Sequence, residues 1–146
     1  MDNIDKKILE QLSVNSKKTL KQLSGEVGLS PSPLQARVKR LEREGFIRGY
    51  VAQVDFSKTG QDHIAFVQVT LKDTRMTALD GFNRAVRKLK SVEQCHMIAG
   101  SFDYLLKVRT GNIQDYRVEL AENISSLPNV ESTSTFVSME TVVELP

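Results

Sequence analysis

The stretch from Gly28 to Gly45, GLSPSPLQARVKRLEREG, constrains this chain more than any other. Gly28 suits the left-handed residue that closes a preceding helix. Ser30 or Ser32 can cap the next one. Ser32 with Gln35 forms a capping box and puts Pro33 at the first helical position, where its missing N–H costs nothing. Leu34, Val38 and Leu41 recur at i, i+4 and i+7 as one apolar stripe. At about 100° per residue the opposite face carries Ser32, Ala36, Lys39, Arg40 and Arg43, flanked by Gln35 and Arg37. Small polar residues at its amino end let a backbone approach a base pair, and the cations beyond them reach phosphates on either side. These features suit the reading helix of a helix-turn-helix; an ordinary surface helix with a solvated basic face is the plain alternative.

The segments before it suit the same motif. Ile4, Ile8, Leu9 and Leu12 mark a first amphipathic helix, capped by Asp2 or Asn3, with Asp5 at its positive end. Thr19 and Gln22 make a capping box ahead of Leu20, Leu23 and Val27. Gly25 falls inside that second helix, at about 1 kcal/mol relative to alanine, which close packing by a neighbour would explain. A Gly-containing turn between two short helices is the expected connection, and the motif spans about residues 20–39. After Gly45, FIRGYVAQVD reads as a strand or two-stranded wing, with Phe46 and Ile47 covering the three-helix core and Arg48 near a DNA backbone.

Charge divides the chain in the same place. The 146 residues carry a net +2, but residues 1–50 hold ten Lys/Arg against six Asp/Glu, whereas residues 51–146 hold ten against twelve. A basic first third puts a polyanionic partner at that end. No run of apolar residues is long enough to span a membrane, and the amino terminus is charged and amphipathic rather than signal-like. The single cysteine, Cys95, fits a reducing cytoplasm. Cys95 and His96 are adjacent on a strand and point to opposite faces, so they do not share a metal. A buried thiol and a partly buried histidine are expected, and no cofactor is implied.

Residues 51–63 read as a linker broken at Lys58-Thr59-Gly60 and Asp62. Beyond it the element type alternates. Ala65, Val67, Val69 and Leu71 form a strand face, and Leu79, Phe82, Val86 and Leu89 a helical stripe. Val92 to Ala99 is a second strand, followed by the turn GSFD and a third strand through Tyr104, Leu106 and Val108. Ile113, Tyr116, Leu120, Ile124 and Leu127 make another helical stripe, which Pro128-Asn129 ends, and Val130 to Leu145 is a long last strand. The order βαββαβ is that of a ferredoxin-like fold, so the expected class is α+β: residues 1–50 a winged helix-turn-helix, residues 64–146 a ligand-binding and oligomerisation domain.

Across both modules the chain resembles the Lrp/AsnC family of transcriptional regulators, the leucine-responsive or feast/famine regulators. The likeness rests on IDKKILEQL and GLSPSPLQARVKRLEREGFIRGY in the first module, and on VEQCHMIAGSFDYLLKV, DYR and LPNVESTSTFV in the second. The resemblance implies a homodimer assembling to an octamer or similar ring. It also implies promoter DNA as partner, nucleoid association in the cytoplasm, and an amino acid such as leucine as effector.

Two sets of residues follow. Gln35 can pair with adenine and Arg37 or Arg40 with guanine, with Ser30, Ser32, Lys39 and Arg43 on phosphates. For the effector, Asp103 can accept the ammonium and the backbone N–H groups of Gly100 and Ser101 can hold the carboxylate. Met97, Ile98 and Tyr104 line the side-chain pocket, and Thr133 and Thr135 supply hydroxyls. The competing reading of Gly100–Tyr104 is a hairpin turn with Gly at positive φ and Asp103 capping backbone groups. Ser101 stands where leucine-type members commonly have Asp. The carboxyl-terminal strand has more apolar positions than one face of a small sheet needs, which suits a dimer interface. Against a ligand-gated regulator stands an architectural protein that wraps DNA without a ligand. An enzyme is disfavoured, since no nucleophile–base pair or phosphate-binding glycine loop is visible. GSFDYLLKV lacks the basic-aromatic signature of an RNA-binding sheet.

Overall fold

A computed structural model describes residues 1–144 as two compact units, Met1–Val54 and Asp55–Glu144. The first is a three-helix cluster: α1 (Asn3–Val14), α2 (Leu20–Val27) and α3 (Pro31–Arg43). Asp2 and Asp5 close a capping box on α1, and Thr19 and Gln22 close one on α2. Ile8, Leu23, Val27, Leu34 and Leu41 form the core, with Ile4, Leu9, Leu12, Val38 and Ile47 packed around it.

The start of α3 differs from expectation. Ser30 is extended and stands at the N-cap without a side-chain hydrogen bond, Pro31 opens the helix, and Ser32 is already helical. No Ser32–Gln35 box forms. Pro31 fixes its own φ and disfavours a helical Ser30, so the helix begins there. Pro33 is tolerated because the first helical bond runs from Leu34 N–H to Ser30 C=O, so neither proline is needed as a donor. Gly28 closes α2 at φ +75°, as expected. Gly25 does not have the expected reason: a Cβ there would meet nothing within 4 Å.

The wing is not a hydrogen-bonded ribbon. Among the described residues, Phe46 to Asp55 form no strand, because the chain offers this segment no edge to pair with. Ile47 packs against the helical core, but Phe46 is half exposed. Tyr50 ties the segment back to α3 by donating to Glu42 Oε1 at 2.8 Å. Burial, then that carboxylate, pushes the Tyr50 hydroxyl up to about 12.

The second unit opens with a single tight turn, Phe56–Thr59, ended by a left-handed Gly60. It continues as β1 (His63–Leu71), α4 (Met76–Val86), β2 (Val92–Met97), β3 (Tyr104–Thr110), α5 (Ile113–Glu119) and β4 (Val130–Val137). The strands lie in the order β2-β3-β1-β4, antiparallel throughout, which is the ferredoxin-like arrangement. Val67 pairs with Leu106 and with Thr135, so these three share a face. That face carries the core: Ala65, Val67, Val69, Leu106 and Val108 against Phe82, Val86, Tyr116, Ile124 and Leu127.

After α5 the chain makes a wide turn over Leu120–Ile124, with Ser125 N–H bonding Leu120 C=O at 2.8 Å. The spacing Tyr116, Leu120, Ile124 explains it. A step of four drifts by about 40° in a 3.6-residue helix, and a wider turn restores the stripe. Ile113 falls outside the stripe and is half exposed. The last strand is shorter than expected: it stops at Val137, Ser138 N–H adds one bond to Ile64 C=O of β1 at 2.9 Å, residues 139–144 continue outside the sheet, and Leu145 lies outside the described residues. Cys95 is half-buried, and its burial pushes the thiol up. His96 is exposed rather than partly buried.

Candidate nucleic-acid interface and effector site

Within α3 the seven residues expected at DNA separate into two groups. Ser30, Ser32, Gln35, Lys39 and Arg43 are exposed, and among the described residues neither Lys39 nor Arg43 forms an ion pair. These side chains stand opposite Leu34 and Leu41, both fully buried. The helix thus presents a short polar amino end followed by free cations, the chemistry a major groove and its flanking phosphates accept.

Arg37 and Arg40 are engaged elsewhere. Arg37 Nη1 donates to Asp2 Oδ2 at 2.6 Å and to Asp5 Oδ1 at 2.9 Å, and Arg40 Nη2 donates to Asp5 Oδ2 at 2.6 Å. The Asp5 side chain is only 1% exposed. The backbone N–H of Asp2 holds the Asp5 carboxyl well below its ordinary range, against the opposing effect of burial, and the two guanidiniums add to it. The Asp2 carboxyl is lowered by the Asp5 N–H and then by Arg37. The sequence reading missed Asp2 and Asp5 as partners of α3. The available signal was two carboxylates one helical turn apart and two arginines one turn apart.

In the second unit the expected effector residues fall in three places. Gly100 and Ser101 are exposed on the β2–β3 turn, where Gly100 does not take positive φ. Asp103 anchors that turn to β1: its Oδ2 accepts from Leu71 N–H at 2.7 Å, its own N–H donates to Val69 C=O at 2.9 Å, and its C=O accepts from Ile98 N–H at 2.8 Å. Asp103 thus has the backbone-capping role weighed as the alternative, whereas the positive-φ glycine of that alternative is absent.

Tyr104 is 2% exposed and belongs to the core; its ring lies 4.3 Å from that of Phe82 and its hydroxyl donates to Asn83 Oδ1 at 2.8 Å. Tyr104 and Met97 border one open cavity of about 360 Å³ with Asn83, Val86 and Cys95. Thr133 and Thr135 lie on the helix-covered face of β4, and the Thr135 hydroxyl is bonded by Tyr116. Met97 and Tyr104 therefore converge, while Gly100, Ser101 and Asp103 stand apart from that cavity. A further polar cluster escaped the sequence reading: Glu93 and Glu144 bracket Lys107 and Arg109, and Arg109 also lies 4.3 Å over the Phe56 ring.

Known proteins match both units. The profile described as winged helix-turn-helix DNA-binding matches residues 1–48, and that of the Lrp/AsnC ligand binding domain matches residues 64–146. A proline dehydrogenase transcriptional activator of Rhizobium radiobacter is 58% identical over 144 residues, spanning 99% of this chain and 92% of its own. The leucine-responsive regulatory protein of Escherichia coli is 42% identical over 142 residues, spanning 97% and 87%. Among solved structures, a Neisseria meningitidis transcriptional regulator in complex with L-methionine superposes with a TM-score of 0.91 at 28% identity, over 99% of this chain and 94% of that one. No helix among the described residues is long and apolar enough to cross a membrane. With a DNA-binding unit in front and the family's ligand-binding unit behind, this chain belongs to the Lrp/AsnC family of DNA-binding transcriptional regulators.

Proposed function

We propose that this regulator inserts α3 in the major groove of promoter DNA as a homodimer, and that an amino acid bound at the second unit changes its assembly or its affinity for DNA. The observation that carries the reading is the exposed face Ser32-Gln35-Lys39-Arg43. Gln35 reads a base edge there, Lys39 and Arg43 neutralise phosphates, and Ser30 sits at the helix amino end beside a phosphate.

Dimerisation is supported by the sheet face opposite the helices. Phe66 and Phe136 are register partners on it, 36% and 55% exposed, beside Leu105. That patch suits a second copy, and further association of dimers to an octamer or similar ring on the nucleoid follows the same reading. The effector is an amino acid held at the β2–β3 turn. Of the two Asp103 oxygens, Oδ1 is left to accept an ammonium while Oδ2 holds the turn. Proline is the first candidate, because the Rhizobium radiobacter relative is named for activating proline dehydrogenase, an enzyme that consumes proline. A ligand-independent wrapping protein is the weaker reading, since the match to a ligand-binding domain covers the second unit from residue 64 onward.

The effector can shift assembly only by its difference in affinity between the two states. Light scattering of the full chain with and without L-proline, L-leucine and L-methionine, beside a footprint on promoter DNA, tests this. A change in particle size or footprint with one amino acid is expected. A footprint that none of them alters would return the protein to the ligand-independent reading.

A further inference from the structure

We infer that Arg37 and Arg40 are positioning residues: they clamp the reading helix to the amino end of α1 and set the angle at which α3 meets DNA, without touching base or phosphate. The inference rests on the reading of α3 as the DNA-contacting helix. Its ground is the four-residue cluster of Asp2, Asp5, Arg37 and Arg40. Asp5 is as buried as the core residues around Ile8, yet it is a carboxylate. Each of its oxygens receives one guanidinium, and Oδ2 also accepts the Asp2 N–H at 3.0 Å. Asp2 in turn accepts the Asp5 N–H at 2.8 Å while holding Arg37. The capping box of α1 and the ion pairs of α3 are thus one closed network.

The network disfavours any outward turn of these arginines. A buried carboxylate that loses one partner keeps its desolvation penalty and loses the compensation. Reading guanine takes two parallel N–H groups from one guanidinium. Arg40 has Nη2 committed to Asp5 and Nε buried without a partner, so its Nε–Nη2 edge is closed, and turning the Nη1–Nη2 edge onto a guanine would break the bond to Asp5. Arg37 would have to leave two carboxylates at once. On the helix, Arg37 and Arg40 occupy the flank toward α1, whereas Ser32, Gln35, Lys39 and Arg43 remain exposed. The two carboxylates and two guanidiniums also cancel in charge, leaving the attraction for phosphate to the other cations of residues 1–50.

The test is DNA affinity against salt, by fluorescence anisotropy with the full chain, on a duplex recovered by in vitro selection with the wild-type protein. Lys39→Ala and Arg43→Ala should each flatten the plot of log affinity against log salt by about 0.9 for every phosphate left unneutralised. Arg40→Met should weaken binding while leaving that slope unchanged. Asp5→Asn should also weaken binding, on the order of tenfold, and combining the two should add little, as expected for residues of one network. Direct contact makes the opposite forecast for Asp5→Asn: freeing two guanidiniums and removing a negative charge would tighten binding. Because a lone buried change can unfold the unit, the triple variant D5L/R37M/R40M replaces the network by apolar groups of similar reach. Its salt slope should equal that of the wild type, and a slope flatter by about 1.8 per bound protomer would overturn the clamp. If Lys39→Ala and Arg43→Ala bind as the wild type with unchanged slopes, the reading of α3 fails instead.

Discussion

Replacing Phe82 by alanine should unfold the second unit selectively. Phe82 is fully buried, and its ring lies on Tyr104 at 4.3 Å with the planes tilted by 34°. It is the central apolar contact of α4 with the sheet, between the buried Val86 and the half-buried Leu79. Such a truncation costs about 3–5 kcal/mol, the value within that range depending on how far the surroundings collapse. Collapse is restricted here, because Val69 and Tyr104 sit opposite each other in the β1–β3 ladder and cannot follow the missing ring without breaking that register. The upper half of the range therefore applies. A domain of this size loses about 4–8 °C in melting temperature per kcal/mol, which makes the expected drop about 16–40 °C. Differential scanning calorimetry reads it, and hydrogen exchange assigns it. Amides of β1 and β3 should lose protection while those of α1 to α3 keep theirs, since the two units have separate cores. A drop of under about 5 °C, or loss of protection shared equally by the helices, would refute this account of how α4 is held.

Three further outcomes are expected. Gly28→Ala should destabilise the first unit by about 1–2 kcal/mol from its φ of +75° alone, as no atom crowds the new Cβ, whereas Gly25→Ala should stabilise it by about 0.5–1 kcal/mol; equal melting shifts for both would contradict this. Asp103→Asn retains an oxygen for Leu71 N–H, so it should fold and bind DNA as the wild type yet lose its response to the amino acid, which titration of the variant checks. Acid should destabilise both units. Asp2 and Asp5 in the first, and Asp73 and Glu93 in the second, titrate below their ordinary values of 3.8 and 4.5. Their stabilisation is therefore complete above those values and is lost as the pH falls through the lower folded ones. A melting temperature unchanged between neutral pH and about 3 would exclude it.

What the sequence made legible was local, and what it hid depended on partners far along the chain. The caps at Asp2, Thr19 and Gly28 follow from a few neighbouring residues, and the apolar stripes follow from helical and strand periods, so both appear where they were expected. Even the βαββαβ order is a sum of such local patterns. The start of α3 was misplaced because two Ser-Pro pairs, Ser30-Pro31 and Ser32-Pro33, carry the same local signal, and the helix opens at the first of them rather than the second. The strand expected over residues 46–55 was overread because a strand exists only when something pairs with it.

The candidate site shows the same limit more sharply. Arg37 and Arg40 have the composition of a DNA-binding face, and the carboxylates within one helical turn of Arg40, Glu42 and Glu44, are not the ones it uses. The partners of both arginines lie more than thirty positions earlier, at Asp2 and Asp5. Asp103 likewise reads as a free acceptor until Leu71 is found beneath it, at a separation of 32 residues. In each case a charged side chain was assigned to a ligand before its intramolecular claims were known. A fold satisfies its buried polar groups first, and only the oxygens and cations left over are available to DNA or an effector. By that criterion the contacts we propose fall to Lys39, Arg43, the uncharged Gln35 and the second oxygen of Asp103.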